Sequence, residues 1–265
     1  MKHHRTTAVV LLAAAVITAA TGCGTNTTDA GTKNSATPAT PADSFASLTA
    51  AQIELKTRKA TASVTSLRLN GTVFADGQSA DINIALDAKG NCTGKIAPEG
   101  IGTIDVVKNG HTVYVKGDER FWRTSLSTDK KNAIPRKQAD ALVAKFQDRW
   151  IKANKEMAKT MGTKVCDLAE FTKILVPDGG LDPNFTRGAD TTEDGQPIAV
   201  IYEREDASDA VTTIHVAKKG KPYALRIQTT GGTEPADLYL SDFNQPVNAT
   251  PPPADQVLDP NTVTV

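Results

Sequence analysis

Residues 66–86, SLRLNGTVFADGQSADINIAL, decide the fold. In the first half Leu67, Leu69 and Val73 fall on one side of a period-two pattern, and in the second half Ile82, Ile84 and Leu86 do the same. Alternation of this kind predicts strands with one buried and one wetted face. Asp76-Gly77 sits between the two runs, and an Asp-Gly pair there predicts a hairpin turn. The pattern continues through CTGKIA (92–97), IGTIDVVK (101–108) and TVYVK (112–116), with turns at Lys89-Gly90-Asn91, Glu99-Gly100 and Asn109-Gly110. Five short strands in a row with no helix between them predict an antiparallel meander rather than βαβ units.

On the N-terminal side, residues 47–62 predict a short helix with Thr49 as its N-cap. On the C-terminal side the period changes. In IPRKQADALVAKFQDR (134–149), Ala139, Leu142, Val143 and Phe146 recur at helical spacing behind Pro135. Phe121 and Trp122 sit in an earlier helical turn or short helix, and CDLAEFTKIL (166–175) predicts another helix, ending before Pro177-Asp178-Gly179-Gly180. Trp150-Ile151-Lys152 either extends the helix or forms a short strand. Strands then return: FTRGAD (185–190), PIAVIYE (197–203), AVTTIHVA (210–217), PYALRIQ (222–228) and DLYLSDF (237–243), before a Pro-rich tail that ends in a short turn. No linker separates the two strand sets. The pattern predicts one α+β domain, residues 46–265: a curved, mostly antiparallel sheet of about ten strands with helices packed on its concave face.

The first 45 residues read differently. Lys2 to Arg5 precede AVVLLAAAVITAA (8–20), an apolar run too short to span a bilayer comfortably, and Ala20-Thr21-Gly22-Cys23 follows. Small residues before a cysteine resemble the bacterial lipobox, with Ala20 in place of the commoner Leu. Residues 1–22 then form a lipoprotein signal peptide, and Cys23 becomes the lipid-modified, membrane-anchoring N-terminus. Residues 24–43, rich in Thr, Ala, Asn and Pro, predict a flexible tether with a reach of roughly 25 Å. The remaining pair, Cys92 and Cys166, predicts one disulfide in an exported protein, the other reading being two free buried thiols.

Composition excludes several functions. Thirty basic side chains balance thirty acidic ones, which leaves no footprint for nucleic acid. After the leader, His111 and His215 are the only histidines, both on predicted strands, and no CxxC is present, so neither a metal site nor a cofactor is expected. Asp190-Thr-Thr-Glu-Asp194-Gly195 brushes against an EF-hand loop but places Ile201 where the bidentate Glu should stand. There is no G-x-S-x-G and no advertised nucleophile–base pair, so an enzyme is not expected.

Several stretches together resemble the LppX/LprG-type actinobacterial lipoproteins: the lipobox, the Thr/Pro tether, HTVYVKGDERFW (111–122), CDLAEFTKIL and LYLSDFNQPVNATPPPADQVLD (238–259). The last is the most specific, and the resemblance covers most of the chain from Ser47 onward. Cys92 and Cys166 are not part of that group's general pattern. The resemblance implies the carrier fold of LolA and LolB, an unclosed β-barrel whose helices form a lid over an apolar cavity. It implies binding of an acylated lipid or glycolipid for envelope lipid transport, with a membrane transporter as a possible partner. Leu67, Leu69, Ile82, Ile84, Val113, Val115, Leu225, Ile227, Leu238 and Leu240 then become the cavity wall, and Leu142, Val143 and Phe146 the lid. Two alternatives stay open: the opposite sheet face lines the cavity, since a one-residue shift swaps faces, or the aliphatics fill a solid core and the chain is an interaction module of an envelope complex.

Overall fold

The computed structural model describes residues 45–75, 77–128, 134–155, 158–159, 165–175, 181–205 and 208–259. The leader, Cys23, the tether, Asp76 and the Pro177–Gly180 turn lie outside them.

The first hairpin forms as its alternation requires. β1 (Ser66–Ala75) pairs with β2 (Gln78–Asp87), setting Leu67 against Leu86, Leu69 against Ile84 and Gly71 against Ile82. The meander continues outward through β3 (Cys92–Pro98), β4 (Ile104–Asn109) and β5 (Thr112–Gly117) to β6 (Trp150–Lys152). Asp148, with φ 56°, ends the helical stretch, and Trp150-Ile151-Lys152 is a strand, not a helix extension. The chain then moves to the far edge of the sheet and returns as β7 (Thr186–Arg187), β8 (Thr191–Glu193), β9 (Gln196–Arg204), β10 (Val211–Ala217), β11 (Ala224–Thr230) and β12 (Ala236–Ser241). β12 pairs with β1, so both meanders are stitched together at the first strand of the chain.

Among the described residues the result is one curved, unclosed sheet of thirteen strands, more than the ten expected. The additional strands are short. β8 forms a hairpin with β9 through Asp194-Gly195, both at positive φ, where the sequence suggested a near-EF-hand loop. β7 keeps only two residues of the expected 185–190 strand. β13 (Val257–Leu258) follows a single turn of 3-10 helix at Ala254–Gln256 and runs parallel to β6, where the sequence indicated a turn alone. Two glycines permit close strand approach near the middle of the sheet. A Cβ on Gly71 would lie 2.0 Å from the Asp237 carbonyl oxygen, and one on Gly94 would lie 2.1 Å from that of Asn83.

The helices cover one sheet face. α1 (Ala50–Ala62) begins with a complete capping box: Thr49 Oγ1 accepts from Gln52 N, and Gln52 Oε1 accepts from Thr49 N. α2 (Glu119–Thr128) contains Phe121 and Trp122, α3 (Arg136–Phe146) starts behind Pro135, and α4 (Leu168–Leu175) is capped by Asp167, which accepts from Ala169 N and Glu170 N. Cys92 and Cys166 form a disulfide across 74 residues, tying the start of β3 to the segment before α4. Among the described residues no helix is long and apolar enough to cross a membrane.

Candidate functional site

The sheet's two faces differ in character. On one face Leu67 and Leu69 of β1, Ile84 and Leu86 of β2, Val106 of β4, Val113 and Val115 of β5, and Leu238 and Leu240 of β12 are buried in one cluster. Each such side chain taken from water contributes about 1.5–3 kcal/mol. Trp122 of α2, Val143 and Phe146 of α3, and Leu168 of α4 cover them. Trp122 tilts onto Phe146 with ring centroids 5.3 Å apart, and its indole nitrogen donates to the Gly117 carbonyl. Ile82, Ile227 and Leu142 are half-buried against the same cluster.

Of the thirteen residues named as wall and lid, twelve therefore meet on this face, and Leu225 does not. His215 pairs with Arg226 but Val216 pairs with Ala224, so Leu225 is the extra residue of a β-bulge. It lines a depression with Arg68 and Tyr239 instead. Simple alternation from Ile227 could not reveal this, because the bulge resets the phase by one residue.

α1 covers the other half of the same face. Ile53 and Ala50 pack with Phe45, Ala199, Ile201 and Val216 in a second, smaller cluster. Its buried stripe also contains Glu54, Thr57, Arg58 and Thr61, a polar set with no apolar periodicity to announce it. Thr61 Oγ1 accepts from Ala224 N, and Arg58 lies 3.0 Å from the Glu54 carboxylate. Burial holds the Glu54 carboxyl above its ordinary value, against the attraction of Arg58.

The opposite face is more polar, although Ala85, Val107, Ile198 and Ala217 are buried on it. Arg68 Nε donates to Asp242 and its Nη1 to the Asn83 side chain. Arg226 makes a forked pair with Asp237, 2.7 and 2.6 Å, and its guanidinium lies 4.8 Å from the centre of the Tyr239 ring. These hydrogen bonds from Arg226 hold the Asp237 carboxyl below its ordinary value. His215, on β10 as expected, meets Glu193 at 2.8 Å. His111 instead occupies the exposed turn between β4 and β5. Among the described residues no group of three or more His, Cys, Asp or Glu could hold a metal ion.

The segment SDFNQPV (241–247) shows why its residues are used. Asp242 and Asn244 both have positive φ, reversing the chain after β12. Asn244 Oδ1 accepts from Thr65 N and its Nδ2 donates to Tyr223 Oη, while Phe243 stacks on Tyr223 at 4.3 Å. Ser66 Oγ donates to the Gln245 carbonyl and Asn109 Nδ2 to that of Ala249. The tail is thereby stitched onto the first hairpins before it reaches β6.

No family model and no curated protein matches the chain. Solved structures with a similar arrangement include the lipoprotein LppX of Mycobacterium tuberculosis, at 14% identity over 76% of this chain and 97% of that one, TM-score 0.44. LprF of Mycobacterium bovis is similar at 16% identity over 77% and 96%, TM-score 0.47. An uncharacterized conserved protein of Thermus thermophilus is similar at 9% identity over 78% and 96%, TM-score 0.32.

Proposed function

We propose that the chain is an extracytoplasmic lipoprotein, anchored through an acylated Cys23, whose domain of residues 46–265 holds an acyl lipid or glycolipid between the aliphatic sheet face and helices α2–α4. One observation carries this reading: the aliphatic wall is broad, while the helices over it are lightly attached. Among the described side chains, α3 buries Val143 and Phe146 and α2 buries Trp122, with Phe121, Leu126 and Leu142 half-buried against the same cluster. A cover held by three buried and three half-buried side chains opens below the global unfolding free energy. The disulfide pins the segment before α4, so opening is confined to α2 and α3. An acyl chain entering there gains about 0.8 kcal/mol per buried CH₂. The tether gives the domain its reach from the membrane, and a transporter in that membrane is the partner that such a carrier serves. No catalytic step is assigned.

The test is native mass spectrometry of residues 46–265 purified from a lipid-containing host, followed by lipid extraction. Co-purified acyl lipid is expected, and is displaced when Leu69→Trp or Ile84→Trp fills the wall. A chain that emerges empty and takes up no fluorescent fatty-acyl probe sinks the carrier reading. The continuous packing from Trp122 and Phe146 onto the sheet would then stand as a solid core, and the chain as an interaction module.

A further inference from the structure

The polar face carries two adjoining depressions. The larger, about 680 Å³, is lined by β1, β12, the β10–β11 hairpin and the β8–β9 hairpin. The smaller, about 240 Å³, continues across β2 and β3 to Lys95 and Ala97. Asn70 and Asn83 line both, so the two form one trough. From β9 to β3 it crosses seven neighbouring strands, roughly 30 Å of sheet at about 4.8 Å per strand. The larger depression alone lies within the range of about 300–1,000 Å³ usual for small-ligand sites.

We propose that this trough binds a neutral carbohydrate chain. Three observations support this occupant. The charges lining the trough balance in number: Arg68, Lys219 and Lys221 with Glu193, Asp194 and Asp242 in the larger part, and Lys95 with Asp81 in the smaller. A trough without net charge does not select an anionic polymer or lipid headgroup. Its hydrogen-bonding groups are planar amides, carboxylates and a guanidinium, which present donors and acceptors in pairs, the match for vicinal hydroxyls. Asn70 and Gln196 have no side-chain partner of their own among the described residues, whereas Arg68 is held rigid by Asp242 and Asn83. Aromatic rings line the larger part: Tyr239 is 38% exposed, with Arg226 over one face of its ring, and Tyr223 and Phe243 stack on each other. Such rings offer apolar faces to the C–H surface of a sugar while the surrounding groups bind its hydroxyls. Leu225, placed here by the bulge, adds to that apolar surface. The length of the trough suits a chain rather than a single sugar. Leu240 and Ile82, at the margins of the trough, also belong to the aliphatic cluster of the other face.

The test is affinity electrophoresis of the full-length protein in mild detergent, through native gels containing in turn a galactan, an arabinan, a mannan and a glucan. Retardation by at least one neutral polysaccharide is expected, unchanged by added salt, because no ion pairs with the ligand. Tyr239→Ala and Asn70→Ala should each weaken it at least about fivefold. Asn70 is exposed and unpartnered, so its variant keeps its fold, which circular dichroism checks. No retardation in any of the four gels overturns the proposal. So does retardation that survives both substitutions, which places the sugar elsewhere. Binding only to an anionic polymer such as heparin, lost in salt and in Lys219→Ala/Lys221→Ala, overturns it in favour of an anion site.

Discussion

One sheet face has two covers, and they are built differently. α1 lays six residues against β9–β11 in an unbroken stripe, from Ala50 to Thr61, and starts with a capping box. α3 is nearly as long but buries two residues and has no side-chain cap at Pro135. The same sheet is therefore closed firmly at one end and lightly at the other. Attachment follows from side chains rather than from helix length, since a helix in a protein is held mainly by its packed face. On the proposed reading the firm end is scaffold and the light end the lid.

Removing the disulfide, with Cys92→Ala and Cys166→Ala, should have the largest effect: about 4 kcal/mol in the chain-entropy model, measured as a lowered urea midpoint. It should also free the segment before α4 to proteases while α1 stays protected. Next come the buried side chains of the two covers. Ile53→Ala in α1 should cost about 3 kcal/mol, the ordinary loss for a core isoleucine. Phe146→Ala in α3 should cost less than about 2 kcal/mol, below the usual 3–5 for a buried aromatic, because a separable lid contributes little to global stability. Equal losses at the two sites would erase the distinction. Thr49→Ala should cost about 1 kcal/mol through the lost cap of α1.

The smallest effects are in pH dependence, and they have opposite signs. Glu54 is raised by burial, so the folded chain binds its proton more tightly. Its share of stability is fully present below 4.5 and is lost as pH rises through the raised folded value. Asp237 is lowered, chiefly by hydrogen bonds from Arg226. Its share is present above 3.8 and is lost as pH falls through the lowered folded value. Urea titrations across pH should therefore flatten above 4.5 for Glu54→Gln and below 3.8 for Asp237→Asn.

Most of the fold was legible because its information is local. Leu67, Leu69, Ile82 and Ile84 alternate, Asp-Gly and Asn-Gly pairs mark hairpins, and Thr49 marks a helix start. What was missed depends on contacts distant in sequence. β13 exists through its pairing with β6, about a hundred residues away. β8 is three polar residues, a strand only because β9 lies beside it. Leu225 left the wall because of a bulge set by β10. The buried polar stripe of α1 carries no apolar rhythm. The trough joins Asn70, Gln196 and Tyr239 from three separate strands, and nothing in any one stretch brings them together.

The most direct measurement of the lid is hydrogen–deuterium exchange at the amides of α1 and α3, with and without a bound acyl lipid. Residues 136–146 are expected to exchange orders of magnitude faster than residues 50–62 in the empty protein and to slow when lipid is loaded. Exchange of both helices at one rate, set by global unfolding and unmoved by lipid, would contradict the lid reading.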